Sequence, residues 1–404
     1  MSSKLLRNAL ILGLLTAVGP FAIDMYLPAL PSIARSLGAS TGAVQMSLMA
    51  FLVTMGLGQL VYGPVADILG RKPPLYFGLV LFVVASVGCS LAPDIRTLVA
   101  FRFLQGLGAS AGMVVPIAVV RDLHTGAEAA RLMSLLMLVF SVSPILSPVI
   151  GTFVVEAWGW RAIFAIVTCA AGMGVVLLAT LLPETRPAAM RQESEGLRGV
   201  VAGYRTLIAD RNFTSLALIV AFGIASFFAF LANSSFLLIQ HFGLTPRQYS
   251  LAFSLNAASF IGASQLTGWL GRRIGLQRVV RIGVGGFAVT MTTLFAVTLT
   301  GVDRLGALLP PLLLGYGFLG LVIPTTTVLA LEDHGTIAGT ASALMATLES
   351  LIGVAVIAVV GLFLDGTARP MMGGIAGCAV ATFALAQHAL GSSVARPRVA
   401  QARR

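Results

Sequence analysis

Apolar and polar positions follow one another along this chain in long blocks, not in the short alternation of a soluble fold. An apolar run of ~20 helical residues, at ~1.5 Å each, crosses a ~30 Å hydrocarbon layer. Twelve such runs are legible, at 8–31, 43–66, 74–92, 98–120, 132–155 and 162–182, then at 213–240, 249–270, 279–300, 305–331, 338–364 and 371–390. The longest polar connection, 183–212, falls between the sixth and the seventh. The expected fold class is therefore an all-α integral membrane protein of twelve transmembrane helices in two six-helix, pseudo-symmetric halves. Residues 1–183 and 213–392 form the halves, 184–212 a cytoplasmic linker and 393–404 a basic tail. The first run is longer than the apolar region of a signal peptide and lacks a small-residue cleavage site, so it is expected to remain as the first span.

Composition agrees. Hydrophobic residues make up 57% of the chain, charged residues 10%, and the mean hydropathy is +0.94. A soluble domain carries ~25% charged residues. The three cysteines, Cys89, Cys169 and Cys378, sit singly in apolar runs, with neither metal-ligand spacing nor a disulfide framework. The net charge of +11 has a topological reading, because Lys and Arg concentrate on the cytoplasmic side. With both termini inside, nineteen of the 26 basic residues fall in cytoplasmic segments, six fall outside, and Arg102 is left within the fourth run. The basic tail then suits anionic lipid, not nucleic acid.

Two of the acids lie inside spans. Asp24 stands in the first run, AIDMYLPALP at 22–31, and Glu349 in the eleventh. A carboxylate at such depth costs about 2.5–3.5 kcal/mol on insertion scales, so intramembrane acids are read first as functional groups. Arg102 and Asp24 fall at similar depth in the first half, ~6 and ~10 Å from the outer end at helical rise. An opposite charge within ~4–6 Å favours ionisation and its withdrawal favours protonation, which is the physics of a proton-coupled switch. Two plainer readings stand beside this one: Arg102 reaching up to the interface, and Glu349 bonded to Thr347 or Ser350. Gln105 follows Arg102 by one turn, and Gly108 and Gly112 form a small-residue seam suited to close helix contact. Tyr26, Phe227, Phe230, Asn233 and Asn256 are further candidates for a substrate cavity.

A repeat marks the two halves. GPVADILGRKP at 63–73 and GWLGRRIGLQR at 268–278 align at an offset of 205 residues, with Gly63 matching Gly268 and Gly70 matching Gly275. Halves related in this way place a central cavity at their junction. The first copy, with Gly63, Asp67, Gly70, Arg71 and Lys72, resembles the signature loop of the major facilitator superfamily. Gly63 is expected to permit close packing and Gly70 a tight turn. Asp67 is expected to meet the start of the eleventh span, where a helix N-terminus attracts an anion by ~0.3–1 kcal/mol, and Arg121. On that resemblance the set is a latch for the outward-facing state. In the fifth run, SVSPILSPVIGTF at 141–153, Pro144, Pro148 and Gly151 are expected to bend the helix. This segment resembles, with S-P in place of G-P, the antiporter motif of the superfamily.

No Walker A, HxxxxD or HExxH pattern occurs in the chain, and GxSxG occurs only as GASAG at 108–112, inside the small-residue seam of the fourth run, so no enzyme constellation is present to read. The first-run segment, the Asp67 loop, the Arg102 helix, WGWRAIF at 158–164 and LPETR at 182–186 together resemble the bicyclomycin/chloramphenicol-resistance (Bcr/CflA) exporters of the superfamily. That resemblance implies a monomeric proton antiporter of the bacterial inner membrane, without cofactor. It would export small amphipathic drugs by alternating access, with drug, protons and lipids as partners and Asp24 and Arg102 in coupling and binding. A proton-coupled uptake symporter on the same fold is the alternative, and a membrane receptor or scaffold a more distant one.

Overall fold

The computed structural model describes residues 3–186 and 196–392. The basic tail and Arg191 lie outside the described residues. Helix α1 (Ser3–Asp24), a 3-10 turn (Leu27–Ala29) and α2 (Leu30–Ser36) form the first crossing. The next five crossings are α3 (Thr41–Leu69), α4 (Lys72–Leu91), α5 (Ile95–Leu123), α6 (Gly126–Trp158) and α7 (Arg161–Thr180). A short helix, α8 (Gly196–Ala209), precedes α9 (Arg211–Ser235), which ends in a π-helical segment (Phe236–His241). Then come α10 (Pro246–Gln265), α11 (Thr267–Ile274), α12 (Leu276–Leu299), α13 (Leu305–Leu331), α14 (Ala338–Leu362) and α15 (Arg369–Ser392).

Helix starts are set by local chemistry. The Ser40, Asp94 and Asp210 side chains accept backbone N–H groups at the starts of α3, α5 and α9, and Thr245 with Gln248 forms a capping box at α10. The helix ends near Arg71 and Arg186 form the basic face, and the ends carrying Glu156 and Arg247 the far face. The outward surface is apolar at mid-depth, with Val84 57% and Val289 67% exposed, as a bilayer requires.

Among the described residues eleven helices are long and apolar enough to cross a membrane. The eighth expected span, 249–270, is divided at Leu266 between α10 and α11. Its hydropathy is low because its inner side is polar. Ser254 donates to the Ile145 carbonyl of α6 and Ser259 to the Leu313 carbonyl of α13, while Leu251 and Leu255 point outward. The first expected span, 8–31, is likewise not one helix. It breaks at Asp24, followed by the Met25–Tyr26 turn and Pro28.

Small residues set the helix spacing. A Cβ on Gly108 would stand 2.6 Å from the Gly78 carbonyl oxygen of α4, and one on Gly112 2.5 Å from that of Leu15 in α1. The seam read from sequence is thus backbone-to-backbone contact. Gly63 is not part of such contact, because its Cβ would meet only Val114, at 3.7 Å. The crowded glycines of α3 are Gly56 and Gly58, against Ser350 and Ser110. Gly70 and Gly275, the matched repeat positions, both end helices with positive φ, +96° and +85°, a conformation open to Gly at little cost.

Helix α6 runs unbroken through Pro144 and Pro148, so the expected bend does not interrupt it. Gly151 has a different use: its missing Cβ would stand 2.4 Å from the Met25 carbonyl oxygen, at the break in the first crossing. Gly151→Leu is expected to cost about 1–3 kcal/mol by overpacking. Thermal melting in detergent should show the loss, and a melt equal to wild type would mean that α6 does not fix the break.

Candidate functional site

The break after α1 organises the centre of the first seven helices. Asp24 is 5% exposed. Its Oδ2 accepts the Ser143 hydroxyl at 3.0 Å, and Ser147, one turn along α6, lies 3.1 Å from Ser143. Ser143 therefore serves the acid directly and Ser147 through Ser143. No ion pair joins Asp24 to Arg102 among the described residues. Asp24 nonetheless lies within electrostatic reach of the Tyr249 phenol on α10. It sits where the two sets of helices meet.

Arg102 is fully buried, so it does not reach the interface. Its Nη1 donates to Gln105 Oε1 at 2.7 Å and to the Ala22 carbonyl at 3.2 Å. The second bond caps one of the last carbonyls of α1, two residues before Asp24. The guanidinium carbon lies 4.4 Å from the Tyr26 ring centre and 4.3 Å from that of Phe51, with Phe164 at 5.9 Å. Desolvated cation–π contacts of this kind contribute ~2 kcal/mol or more. Gln105 passes the network on to Ser86, and the Tyr26 hydroxyl bonds Ser47. Nε and Nη2 of Arg102 have no hydrogen-bond partner among the described residues. Tyr26 and Gln105 are thus the shell of Arg102, packed rather than open.

Across the junction, Phe227 and Phe230 enter an aromatic cluster. Phe230 stacks on Phe253 at 5.6 Å, and Phe227 meets Tyr316 edge-on at 5.8 Å. Asn256 is buried, with its Oδ1 unpartnered among the described residues. Asn233 does not present a free amide. Its Oδ1 accepts the Gln45 amide at 2.9 Å, and Gln45 also bonds the Ala232 carbonyl. Glu349 is half-buried and, among the described residues, makes no hydrogen bond to Thr347 or Ser350. Those hydroxyls go to the Gly56 and Ala346 carbonyls. Two residues past Thr347, Glu349 is turned ~200° from the side of α14 that meets α3.

The far face is closed by bonds between α3 and α6 on one side and α9 and α10 on the other. Besides Gln45–Asn233, Arg247 donates to Glu156 at 2.8 Å, Thr152 and Ser250 lie 2.5 Å apart, and Ser250 donates to the Pro148 carbonyl. Sequence reading named Asn233 for the cavity but missed Gln45, Thr152 and Ser250, since an uncharged polar residue in an apolar run carries no charge to flag it.

At the basic face the expected partners of Asp67 change. It accepts from Arg71 at 2.8 Å and from Arg186 at 3.0 Å, and neither bond reaches a helix of the second half. Arg121 is exposed and does not pair with Asp67. Its neighbour Asp122 holds Arg71 instead, at 2.7 Å. Partial burial works against the Arg71 charge, while Asp122 and Asp67 more than restore it, so its guanidinium holds its proton more tightly than usual. Glu184, of the LPETR segment, accepts the backbone N–H groups of Arg71 and Lys72 at 2.9 and 3.1 Å, across the start of α4. Glu184→Ala is expected to cost ~1 kcal/mol, as for loss of a cap, read as a lower melting temperature in detergent. An unchanged melt would remove Glu184 from the set.

A buried acid at a helix break, a buried arginine beside it and a far face closed by hydrogen bonds describe a membrane carrier. The profile of the Major Facilitator Superfamily matches residues 12–358. This chain belongs to that superfamily. Among similar proteins are the "Uncharacterized MFS-type transporter YdgK" of Bacillus subtilis, 37% identical over 91% of both chains, and "Multidrug resistance protein D" of Escherichia coli, 33% identical over 90% of both. The "Chloramphenicol resistance protein" of Pseudomonas aeruginosa is 30% identical over 92% of this chain and 90% of its own. Among solved structures, that of a D-xylose-proton symporter superposes with a TM-score of 0.74 at 17% identity, covering 94% of this chain and 97% of that one, a likeness of fold alone. As a superfamily member the chain is a multi-pass membrane transporter.

Proposed function

We propose that this protein exports small amphipathic drugs of the phenicol and bicyclomycin type across the bacterial inner membrane in exchange for protons. The relatives named for multidrug and chloramphenicol resistance support the substrate class. The observation that carries the coupling is Asp24, a buried acid at the junction of two helix sets, held by the neutral hydroxyl of Ser143 and not by Arg102. A group so placed takes up or gives up a proton without breaking an ion pair. The basic face is the cytoplasmic side, with both termini there. The hydrogen-bonded far face is the closed periplasmic gate of an inward-facing state.

In this reading residues 1–183 and 213–392 rock as two bodies, joined by the linker 184–212. A drug enters from the cytoplasm as Asp24 gives up its proton to that side. The far-face bonds then part, and Asp67 takes up a latching contact with the second body. Glu349 and the aromatic cluster at Phe230 contribute to the cavity on the other side. Everted membrane vesicles carrying an imposed inside-acid gradient test the direction of exchange. Chloramphenicol should accumulate inside and discharge the gradient. Drug movement in the same direction as the protons would establish a symporter instead.

A further inference from the structure

A groove of about 800 Å³ opens at the far-face end of α14 and α15. Its lining comes from α9, α12, α14 and α15, and none from the first seven helices, so it is separate from the site around Asp24. The walls are apolar and face outward, with Val359 55% and Phe363 67% exposed. The groove reaches inward to Phe222 and Ile352. From Phe363 to Ile352 the helix rises ~16 Å, close to the ~15 Å of hydrocarbon in one leaflet. Along this length Gly377 leaves open space, since no atom comes within 4 Å of where its Cβ would stand.

Two charged side chains stand at the mouth, Asp365 and Arg369. Oδ1 of Asp365 accepts the Thr367 amide and hydroxyl at 2.9 and 2.7 Å, and neither bond uses Oδ2. The Thr367 hydroxyl and amide hold the Asp365 carboxyl below the usual carboxylate range, so it is anionic at neutral pH. Arg369 spends Nε on the Thr298 carbonyl at 3.3 Å. Among the described residues its two Nη groups make no hydrogen bond, and no salt bridge joins Arg369 to Asp365. An acid and a base thus stand side by side, not paired with each other, above an apolar slot as deep as one leaflet.

We propose that the groove is a phospholipid site. One acyl chain lies along α14 between Phe363 and Ile352, the phosphate meets Arg369, and an ethanolamine ammonium meets Asp365. The headgroup chemistry follows from the pair. A single cation would take any anionic lipid, whereas an adjacent acid and base match a zwitterion. A primary ammonium donates hydrogen bonds to a carboxylate and a quaternary one does not, so ethanolamine is favoured over choline.

Native mass spectrometry of the full chain in detergent, with phosphatidylethanolamine, phosphatidylcholine and phosphatidylglycerol of identical acyl chains, tests this. Wild type should retain the ethanolamine lipid over the choline lipid by about two- to fivefold, the worth of an exposed ion pair. Asp365→Asn should remove that preference while lipid is still bound. Gly377→Leu, which fills the slot from a position with open space, should lower retention of all three lipids without lowering the melting temperature. Equal retention of ethanolamine and choline lipids by wild type would overturn the headgroup assignment. Unchanged retention in Gly377→Leu would place the bound lipid elsewhere and overturn the site. Displacement of the lipid by chloramphenicol, with Asp365→Asn indifferent, would make the groove a drug site and overturn it too.

Discussion

Asp24→Asn abolishes drug efflux driven by a pH gradient and leaves the protein folded in the membrane. The replacement has the same shape, and its amide oxygen can still accept the Ser143 hydroxyl that Oδ2 accepts at 3.0 Å. What is lost is a carboxylate able to bind a proton. The fold should not suffer, because a carboxylate at that depth costs about 2.5–3.5 kcal/mol on insertion scales and the amide costs less. Uphill transport should therefore fall to the level of vesicles without the protein. Exchange of labelled for unlabelled drug, which needs the rocking movement but no net proton transfer, should persist. The two assays on one preparation separate a coupling defect from a binding defect. Undiminished gradient-driven efflux in the variant would take Asp24 out of the mechanism. Loss of exchange together with efflux would make the residue a drug ligand or a structural one.

Asp24 was legible in the sequence because charge in an apolar run is conspicuous. The same contrast exposed Arg102, Glu349 and the two Gly70-like turns. The number of crossings was legible for the same reason, although the eighth is weak on hydropathy, its inward side being built from Ser250, Ser254 and Asn256. The partners of those charges were not legible. Ser143 and Ser147 were visible as hydroxyls, but which atom they bond depends on where α1 breaks relative to α6. That is fixed by Gly151 packing on the Met25 backbone, a contact 126 positions apart in the chain. The Asp67 partners failed for a related reason. Arg121 and Asp122 are neighbours in sequence, and at ~100° per helical residue only one of them faces Arg71. The far-face bonds of Gln45 and Thr152 were not legible because their partners lie 188 and 98 positions away in the chain.

Arg102→Met leaves the protein about as stable as wild type and inactive in efflux. The argument is a balance of three terms. A buried charge without a carboxylate partner is costly, and replacing buried ionic groups by apolar ones of similar volume is often neutral or stabilising by about 1–4 kcal/mol. Against that stand the cation–π contacts with Tyr26 and Phe51, ~2 kcal/mol or more when desolvated. Gln105 Oε1 and the Ala22 carbonyl are also left without their donor, at about 1–3 kcal/mol for an orphaned buried group. Met keeps the aromatic shell filled and makes favourable sulfur–ring contacts, so the terms come close to cancelling. Melting in detergent should then fall within a few degrees of wild type. Activity cannot survive on the same balance. Nη1 ties the Ala22 carbonyl, two residues from Asp24, to α5, and without that tie the acid loses its connection to the helix that the cation rides on. Arg102→Ala is the less informative change, since the cavity it opens would destabilise whatever the role of the charge. Efflux retained in Arg102→Met would reduce the arginine to a packing element. A large fall in its melting temperature would show instead that the charge, in its ring of aromatic faces, is a net source of stability.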